Sequence, residues 1–407
     1  MPGGGPDGTP ARARHRVALV ASSYAPHVGG VEEHVRQVAR ELAEAGDAVE
    51  VWTVDRGTGP GVREIEGVTV RYLPTPLPSG SVGGVGRFLV ALPPAWRAWT
   101  SAVRAFRPDL LHVHCFGPNG VYALALHRRF RLPLVVTSHG ETVADDTAVF
   151  ERSTVLRVSL RRALRAAAAV TAPSEFVLER LRADFGLVGG EVVPNGVDLT
   201  LQGSGQRTPF EGRYVLGVGR LGRIKGFDLL VETFARAGLD PDLRLVIAGD
   251  GPERPALEAL IRSEALDDRV LMAGRLDPAT VADAMAGSIA VIVPSRVEAF
   301  GIVALEAWRS GAALVMTSRG GAAGFVRDGV DGVLVDPLDA EASADALRRV
   351  VADGDLRARL ASAGRSRVAE YTWHRVAAAY LACYERVLAR GRGSNRVPAG
   401  PREVGSR

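Results

Sequence analysis

Tyr214-Val-Leu-Gly-Val-Gly-Arg220-Leu-Gly-Arg-Ile-Lys225-Gly-Phe-Asp-Leu-Leu-Val231 joins three signals in one stretch. Tyr214 to Val218 has strand composition, a glycine-rich loop follows, and Phe227-Asp-Leu-Leu-Val231 opens a segment of helical period. Strand, glycine loop and helix form the repeating unit of parallel α/β architecture, because parallel strands need a crossover and a helix supplies it. The same unit stands near the start of the chain. There Val17-Ala-Leu-Val-Ala21 runs on through Gly29-Gly30 into a helix with apolar positions at Val31, Val35, Val38 and Leu42.

Between these two units the alternation predicts strands at Val49 to Val54, Val68 to Leu73, Leu110 to His114, Leu134 to Ser138, Ala168 to Ala172 and Glu191 to Val193. After Tyr214 to Val218 it predicts Leu243 to Ala248, Val270 to Ala273, Ile289 to Val293, Ala313 to Met316 and Gly332 to Val335. Residues 198–212 carry no periodic apolar face and read as a linker. The expected organisation is a tail at 1–14, a first α/β domain at 15–197, the linker and a second α/β domain at 213–371. A closing helix at 372–390, with the option of crossing back to the first domain, and a disordered tail at 391–407 complete it. Two doubly wound domains in tandem place a ligand cleft between the carboxyl ends of their strands.

The 407 residues are 46% hydrophobic and 24% charged, which fits an ordinary globular protein and excludes a peptide module or a disordered hub. The net charge of +4 is local: Arg152, Arg157, Arg161, Arg162 and Arg165 against Glu151 already supply an equal excess. No nucleic-acid partner is expected from so small a field. Cys115 and Cys383 lie too far apart for a secreted-type disulfide framework, which points to a reducing compartment and a cytoplasmic location. Residues 1–14 lack the apolar core of a secretory signal, and every apolar run falls below the roughly 18 residues of a membrane span.

Among the 50 basic residues Lys225 is the single lysine. An ammonium is a compact point charge on a flexible stem, whereas a guanidinium is a planar fork. Arg220 and Lys225, interleaved with glycines after a strand, can clamp two phosphates of a leaving diphosphate and neutralise the charge that builds on it. The bland alternative is a solvated basic loop. Gly29-Gly30 likewise either admits a phosphate to a helix N-terminus or makes a tight turn. Glu298 and Glu306, the ends of an E-x7-E string, place one carboxylate in a loop and the other about a turn and a half into the next helix. Such carboxylates accept paired sugar hydroxyls, and Gly301 between them permits close backbone approach. The alternative makes Glu298 a helix N-terminal charge and Glu306 a surface residue, although the apolar neighbours Ala304, Leu305 and Ala307 argue against exposure.

Taken together, Pro26-His-Val-Gly-Gly30, Ser138-His139-Gly140, Pro194-Asn195-Gly196-Val197-Asp198, Gly219-Arg220 to Lys225-Gly226, Ala248-Gly-Asp-Gly-Pro252 and Glu298 to Glu306 resemble the retaining GT-B glycosyltransferases of family GT4. The resemblance runs from about Arg16 to Leu388. It implies two tandem Rossmann-like doubly wound domains facing across a cleft, with a nucleotide-sugar donor held mainly by the second and a hydroxyl acceptor by the first. It further implies that Gly29 and Gly30 offer backbone to the donor phosphates and that His139 faces the donor sugar near the reacting centre. Arg220 and Lys225 would hold the pyrophosphate, and Glu298 the sugar hydroxyls. Phe300, Gly301 and Ile302 would give backbone contacts, Glu306 would take the ribose, and Gly274 and Arg275 would meet the base. The implied activity moves a hexose or amino-hexose from a UDP- or GDP-sugar to the acceptor with retention. The acceptor would be a glycolipid, a polysaccharide intermediate or a secondary metabolite. A sugar-nucleotide epimerase and a non-catalytic sugar-nucleotide sensor are the alternatives on the same residues.

The chain departs from the family where Gly320-Gly321-Ala322-Ala323-Gly324 lacks an expected carboxylate, and where Trp308 reads as packing. Asp240-Pro-Asp242 and Asp353-Gly-Asp355 read as turns, so neither a catalytic metal nor any other cofactor is expected. His112 and His114 share one strand face without a third ligand at metal-site spacing, and His114 reads either as lining the acceptor side of the cleft or as a plain hydrogen-bonded buried histidine. Pro93-Pro94 reads as a break in a helical segment. Arg87, Arg97, Arg104 and Arg107, interleaved with Phe88, Trp96, Trp99 and Phe106, read with the 151–165 Arg cluster either as peripheral contact of the first domain with anionic lipid at the inner membrane face or as the ordinary Arg-rich surface of a chain that hardly uses Lys.

Overall fold

The computed structural model describes residues 14–27, 29–57, 59–78, 82–144, 149–201, 203 and 209–393. The two expected tails fall largely outside the described residues, as do Val28 and part of the linker.

The first half contains strands β1 Arg16–Ala21, β2 Ala48–Val54, β3 Gly61–Ile65, β4 Val68–Leu73, β5 Leu110–His114, β6 Leu134–Thr137, β7 Ala169–Ala172 and β8 Glu191–Val192. Its helices are α1 Gly30–Glu44, α2 Val82–Phe106, α3 Pro118–Phe130, α4 Val149–Arg152, α5 Thr154–Ala166 and α6 Glu175–Phe185. The second half contains β9 Arg213–Val218, β10 Leu243–Ala248, β11 Val270–Gly274, β12 Val291–Val293, β13 Leu314–Thr317 and β14 Val333–Val335. Around them lie α7 Phe227–Arg236, α8 Arg254–Ser263, α9 Pro278–Gly287, α10 Ile302–Arg309, α11 Ala340–Ala352, α12 Gly354–Arg367 and α13 Trp373–Gly393.

Each half carries its own sheet, in the orders β3-β4-β2-β1-β5-β6-β7-β8 and β11-β10-β9-β12-β13-β14. Every pairing is parallel except β3 with β4. Central strands buried on both faces explain the near-continuous aliphatic runs in the sequence. The order reverses at β1 in the first sheet and at β9 in the second, and at such switch points the loops diverge to opposite faces and open a crevice. Helices cover both faces of both sheets, giving an apolar core on each side of each.

Two sequence expectations change. Strand β3 was absent from the reading because almost all of it is exposed, so it carries no apolar alternation; the Glu66-Gly67 turn pairs it with β4 as an edge hairpin. Pro93 and Pro94 do not break α2, which continues through them with both prolines exposed. Burial of Ala95, Trp99, Val103 and Phe106 on the far side of the prolines holds the helix together despite the missing backbone donors.

The chain leaves the first sheet and returns to it at one crossing. Val197 N–H donates to Tyr371 O at 2.9 Å, and a methyl on Gly196 would stand 2.7 Å from the Trp373 nitrogen. Close backbone passage explains the glycine in Asn195-Gly196-Val197. Helix α13 then lies on the first sheet, where Trp373, Val376, Tyr380, Tyr384 and Val387 join the core of Leu19, Val35, Val38 and Val51.

Candidate active site

Four loops at the carboxyl ends of β1, β6, β9 and β12 carry most of the residues singled out above. The loop after β9 holds Arg220, exposed, and Lys225, half-buried. The loop after β12 holds Ser295 and Glu298, both buried. Lys225 Nζ donates to Glu298 Oε2 at 2.7 Å, and Ser295 Oγ donates to the same oxygen at 2.9 Å. Arg296 ties the two loops together: its N–H donates to Ile224 O at 2.8 Å, and its guanidinium grips Asp228 through two bonds of 2.7 Å. The pairing holds Asp228 below the usual carboxylate range against the opposing effect of burial.

Glu298 is also fixed through its backbone. Its N–H donates to Arg319 O at 3.0 Å, and Gly321 N–H donates to Glu298 O at 2.8 Å. The Gly320-Gly321 pair therefore holds the Glu298 loop from behind. Gly301 follows at φ +93, in the left-handed region that only glycine enters freely, and ends the loop at the N-terminus of α10. Phe300 is buried and stacks on Phe325 with ring centroids 4.3 Å apart, which leaves its ring out of the cleft.

Glu306 lies on α10, half-buried. Burial raises its carboxyl above the ordinary range; Arg309 opposes the shift, and Glu33 on α1 adds to it. Gly30 opens α1 across the cleft, and a methyl there would approach Ile302 Cδ1 at 3.8 Å. The Gly29-Gly30 turn and α10 are thus neighbours. Gly274 and Arg275 sit apart, at the end of edge strand β11, where Gly249 N–H donates to Gly274 O at 2.7 Å.

His139, after β6, is half-buried, and its Nε2 lies 3.2 Å from His114 Nδ1. His114 is fully buried behind it, so the buried alternative holds and the cleft-lining one does not: β5 is central, and its side chains meet helices and not solvent. His34, on α1, was missed because it reads as one more position of a helix face. Its ring meets His139 edge-on at 4.6 Å, Nδ1 lies 2.8 Å from Asn195 Oδ1, and Nε2 lies 3.1 Å from Tyr380 OH. His112 is held by Tyr384 OH at 2.6 Å and Thr137 Oγ1 at 2.7 Å. Burial pushes His34 down to about 4 and lowers His112, His114 and His139 well below the ordinary histidine range, so all four are neutral at pH 7.

The expectation that no third ligand approaches His114 also changes. His34, His114 and His139 bring ring nitrogens within 4.8 Å of one another. Topology, not sequence spacing, assembles this trio. Both His34 nitrogens already have hydrogen-bond partners, whereas the buried His114 Nε2 has none among the described residues. Glu141 fastens the same region: it accepts from Phe116 N at 2.9 Å, His139 N at 2.7 Å and Ser138 Oγ at 3.0 Å.

The two D-x-D strings have local tasks. Asp240 Oδ1 accepts from Asp242 N at 3.0 Å, and Asp353 caps α12 through Leu356 N at 2.8 Å. Trp308 is fully buried, with its indole N–H on Asp331 O at 2.7 Å.

Comparison with known proteins bears on the family and the fold. Residues 28–201 match Glycosyltransferase Family 4, and residues 205–367 match Glycosyl transferases group 1. A D-inositol 3-phosphate glycosyltransferase from Acidothermus cellulolyticus is 31% identical over 93% of this chain and 91% of its own. An alpha-D-kanosaminyltransferase from Streptomyces kanamyceticus is 32% identical over 62% of this chain and 70% of its own. Among solved structures, a sucrose-phosphate synthase from Thermosynechococcus elongatus superposes with a TM-score of 0.79 at 25% identity, covering 93% of this chain and all of that one. Two switch-point crevices, one on each sheet, together with these matches to both halves, make the chain a member of the group 1, family 4 glycosyltransferases with the GT-B fold.

Proposed function

We propose that the chain is a retaining hexosyltransferase that moves a hexose or amino-hexose from a UDP- or GDP-sugar to a hydroxyl acceptor, with no metal. The observation that carries this reading is the Lys225–Glu298 pair at the N-terminus of α10, with Arg220 in the adjoining loop. Arg220 and Lys225 bind the two phosphates, and the Gly30 and Gly301 helix starts add backbone donors to them. Glu298 takes sugar hydroxyls, Glu306 the ribose, and Gly274 with Arg275 the base. The neutral His139 lies on the acceptor side and orients the donor sugar.

No carboxylate stands in the position of a nucleophile in this scheme. The bond to the leaving phosphate breaks through an oxocarbenium-like state, and a departing phosphate oxygen takes the acceptor's proton on the same face. Lys225 and Arg220 then stabilise the charge left on the diphosphate. The Anabaena HepE structure, similar in fold at a TM-score of 0.73 and 20% identity, was determined with UDP and glucose, which supports a nucleotide-sugar donor. Mass spectrometry of donor consumption across UDP- and GDP-sugars tests the proposal, and a chain that neither binds nor turns over any donor in such a panel sinks it.

The acceptor proposed is a glycolipid, a polysaccharide intermediate or a secondary metabolite, used in the cytoplasm. Among the described residues no helix is long and apolar enough to cross a membrane. The N-terminal half of α2 nevertheless exposes Val85, Leu89 and Val90 beside Arg87, which favours peripheral contact with anionic lipid. Co-sedimentation with liposomes that shows no dependence on anionic lipid removes that contact.

A further inference from the structure

Ala299 stands between Glu298 and Phe300 in the second half of the chain, yet its side chain belongs to the first domain. It is 6% exposed and, among the described residues, is the only one from the second half in the core built on α2, α3, α5 and α6. Two features of the first domain receive it. Gly140, next to His139, sits at φ +92, and a methyl there would overlap the Ala299 methyl, so the glycine leaves the niche that Ala299 fills. Ser174 Oγ donates to Ala299 O at 2.6 Å in a buried setting.

Ser174 occupies the N-cap position of α6, where a serine ordinarily accepts from its own helix. Here it makes no such cap, and the hydroxyl is turned outward to the other domain. Gly321 completes the enclosure, since a methyl at that position would stand 2.5 Å from Ser174 Oγ. The same Gly321 holds Glu298 O through its N–H, so the contact reaches the residue proposed to bind the donor sugar.

We infer that Ser174 is a positioning residue for the transfer reaction: with Gly140 it latches Ala299, locking the Glu298–Gly301 loop of the donor side against the His139 loop of the acceptor side. The inference rests on the proposed function and adds the element that brings the two half-sites into register. Lys225, Ser295 and Arg319 hold Glu298 from within the second domain, so the donor half-site survives loss of the latch while the alignment of the two halves does not.

The test combines turnover, UDP binding and hydrogen exchange on the full chain carrying Ser174→Ala, with Ala299→Gly as a second variant that keeps the carbonyl and removes the methyl. Ser174→Ala lowers kcat about ten-fold at saturating donor, the rate equivalent of one good hydrogen bond, with the Kd for UDP within about two-fold of wild type. Amide exchange accelerates at 138–143 and 298–301 together, and Ala299→Gly gives a smaller change in the same direction. Unchanged kcat, or a kcat loss matched by an equal loss of UDP affinity, overturns the latch. If the wild-type chain turns over no nucleotide sugar, the proposed function fails first, and the coupled exchange of the two segments still decides whether the latch exists.

Discussion

Lys225 Nζ stands 2.7 Å from Glu298 Oε2, which joins the chain's single lysine to the one buried carboxylate of the β12 loop. The pair is partly buried, with the lysine side chain 35% exposed and the glutamate 9%, so the ammonium is both anchored and open on one side to a ligand. A three-donor ammonium can keep Glu298 and still donate to a phosphate. A guanidinium at this point is longer, and its donors are fixed in one plane, so it meets the carboxylate and the cleft at different distances and angles from an ammonium. Lys225→Arg is therefore expected to lower kcat at least ten-fold, and Lys225→Ala about 10²- to 10³-fold, as for removal of a preorganised donor. Steady-state kinetics at saturating donor measures both, and near-wild-type turnover in Lys225→Arg would reduce the lone lysine to coincidence.

Glu306 gives the donor site a pH dependence. Burial and the facing Glu33 raise its carboxyl, and Arg309 only partly offsets them. In the proposed donor site the ionised form is the one that would accept ribose hydroxyls, so UDP affinity is expected to fall as pH drops through a midpoint above the ordinary carboxylate range. Calorimetry of UDP binding between pH 5 and 8, roughly spanning that range, reads the midpoint. Glu306→Gln flattens the profile, and Glu33→Gln moves the midpoint to lower pH; a profile that Glu33→Gln leaves in place separates the two carboxylates.

The fold was legible almost strand for strand, because parallel strands buried on both faces leave aliphatic runs that cannot be mistaken for surface. The exposed β3 left no such trace, and the prolines of α2 misled because local backbone preference was outweighed by burial further along the helix. In the site, Lys225, Glu298 and Gly301 announced themselves by residue type and spacing. The His34 contacts did not: His34, Asn195 and Tyr380 come from α1, the domain crossing and α13, and only the fold brings Asn195 Oδ1 and Tyr380 OH within 3.1 Å of the His34 imidazole. Ser174 and Ala299 were silent for another reason. Small residues carry no chemical signature, and their importance lies in what they fit against.

The histidine network predicts acid sensitivity with a defined sign. His34 is held at about 4 in the folded chain against 6.5 when unfolded, so the unfolded state takes up the proton first as pH falls. Stability present above pH 6.5 is lost progressively down to about pH 4, by up to about 3 kcal/mol for this group alone. The lowered His112, His114 and His139 act in the same direction. Denaturant unfolding at pH 7.5 and 4.5, about the two ends of that window, should show a smaller pH-linked loss in His34→Gln than in wild type. Equal losses would mean that His34 is protonated in the fold without penalty.

Tyr380 connects this network to the C-terminal helix. Its hydroxyl meets His34 Nε2 at 3.1 Å and lies 3.5 Å from Thr137 Oγ1, while its ring is fully buried against the first sheet. Tyr380→Phe keeps the ring and strands a buried imidazole nitrogen, a loss of about 1–3 kcal/mol. Because α13 packs on the first domain and most of the proposed donor residues lie on the second, UDP binding should change little while the melting temperature falls. Truncation within α13 should cost far more, since Trp373, Val376, Tyr384 and Val387 would leave an apolar face of β1 and α1 open to water. Calorimetric melting with and without UDP distinguishes the outcomes: a Tyr380→Phe chain that melts as wild type would show that the His34 nitrogen finds water instead of a stranded position.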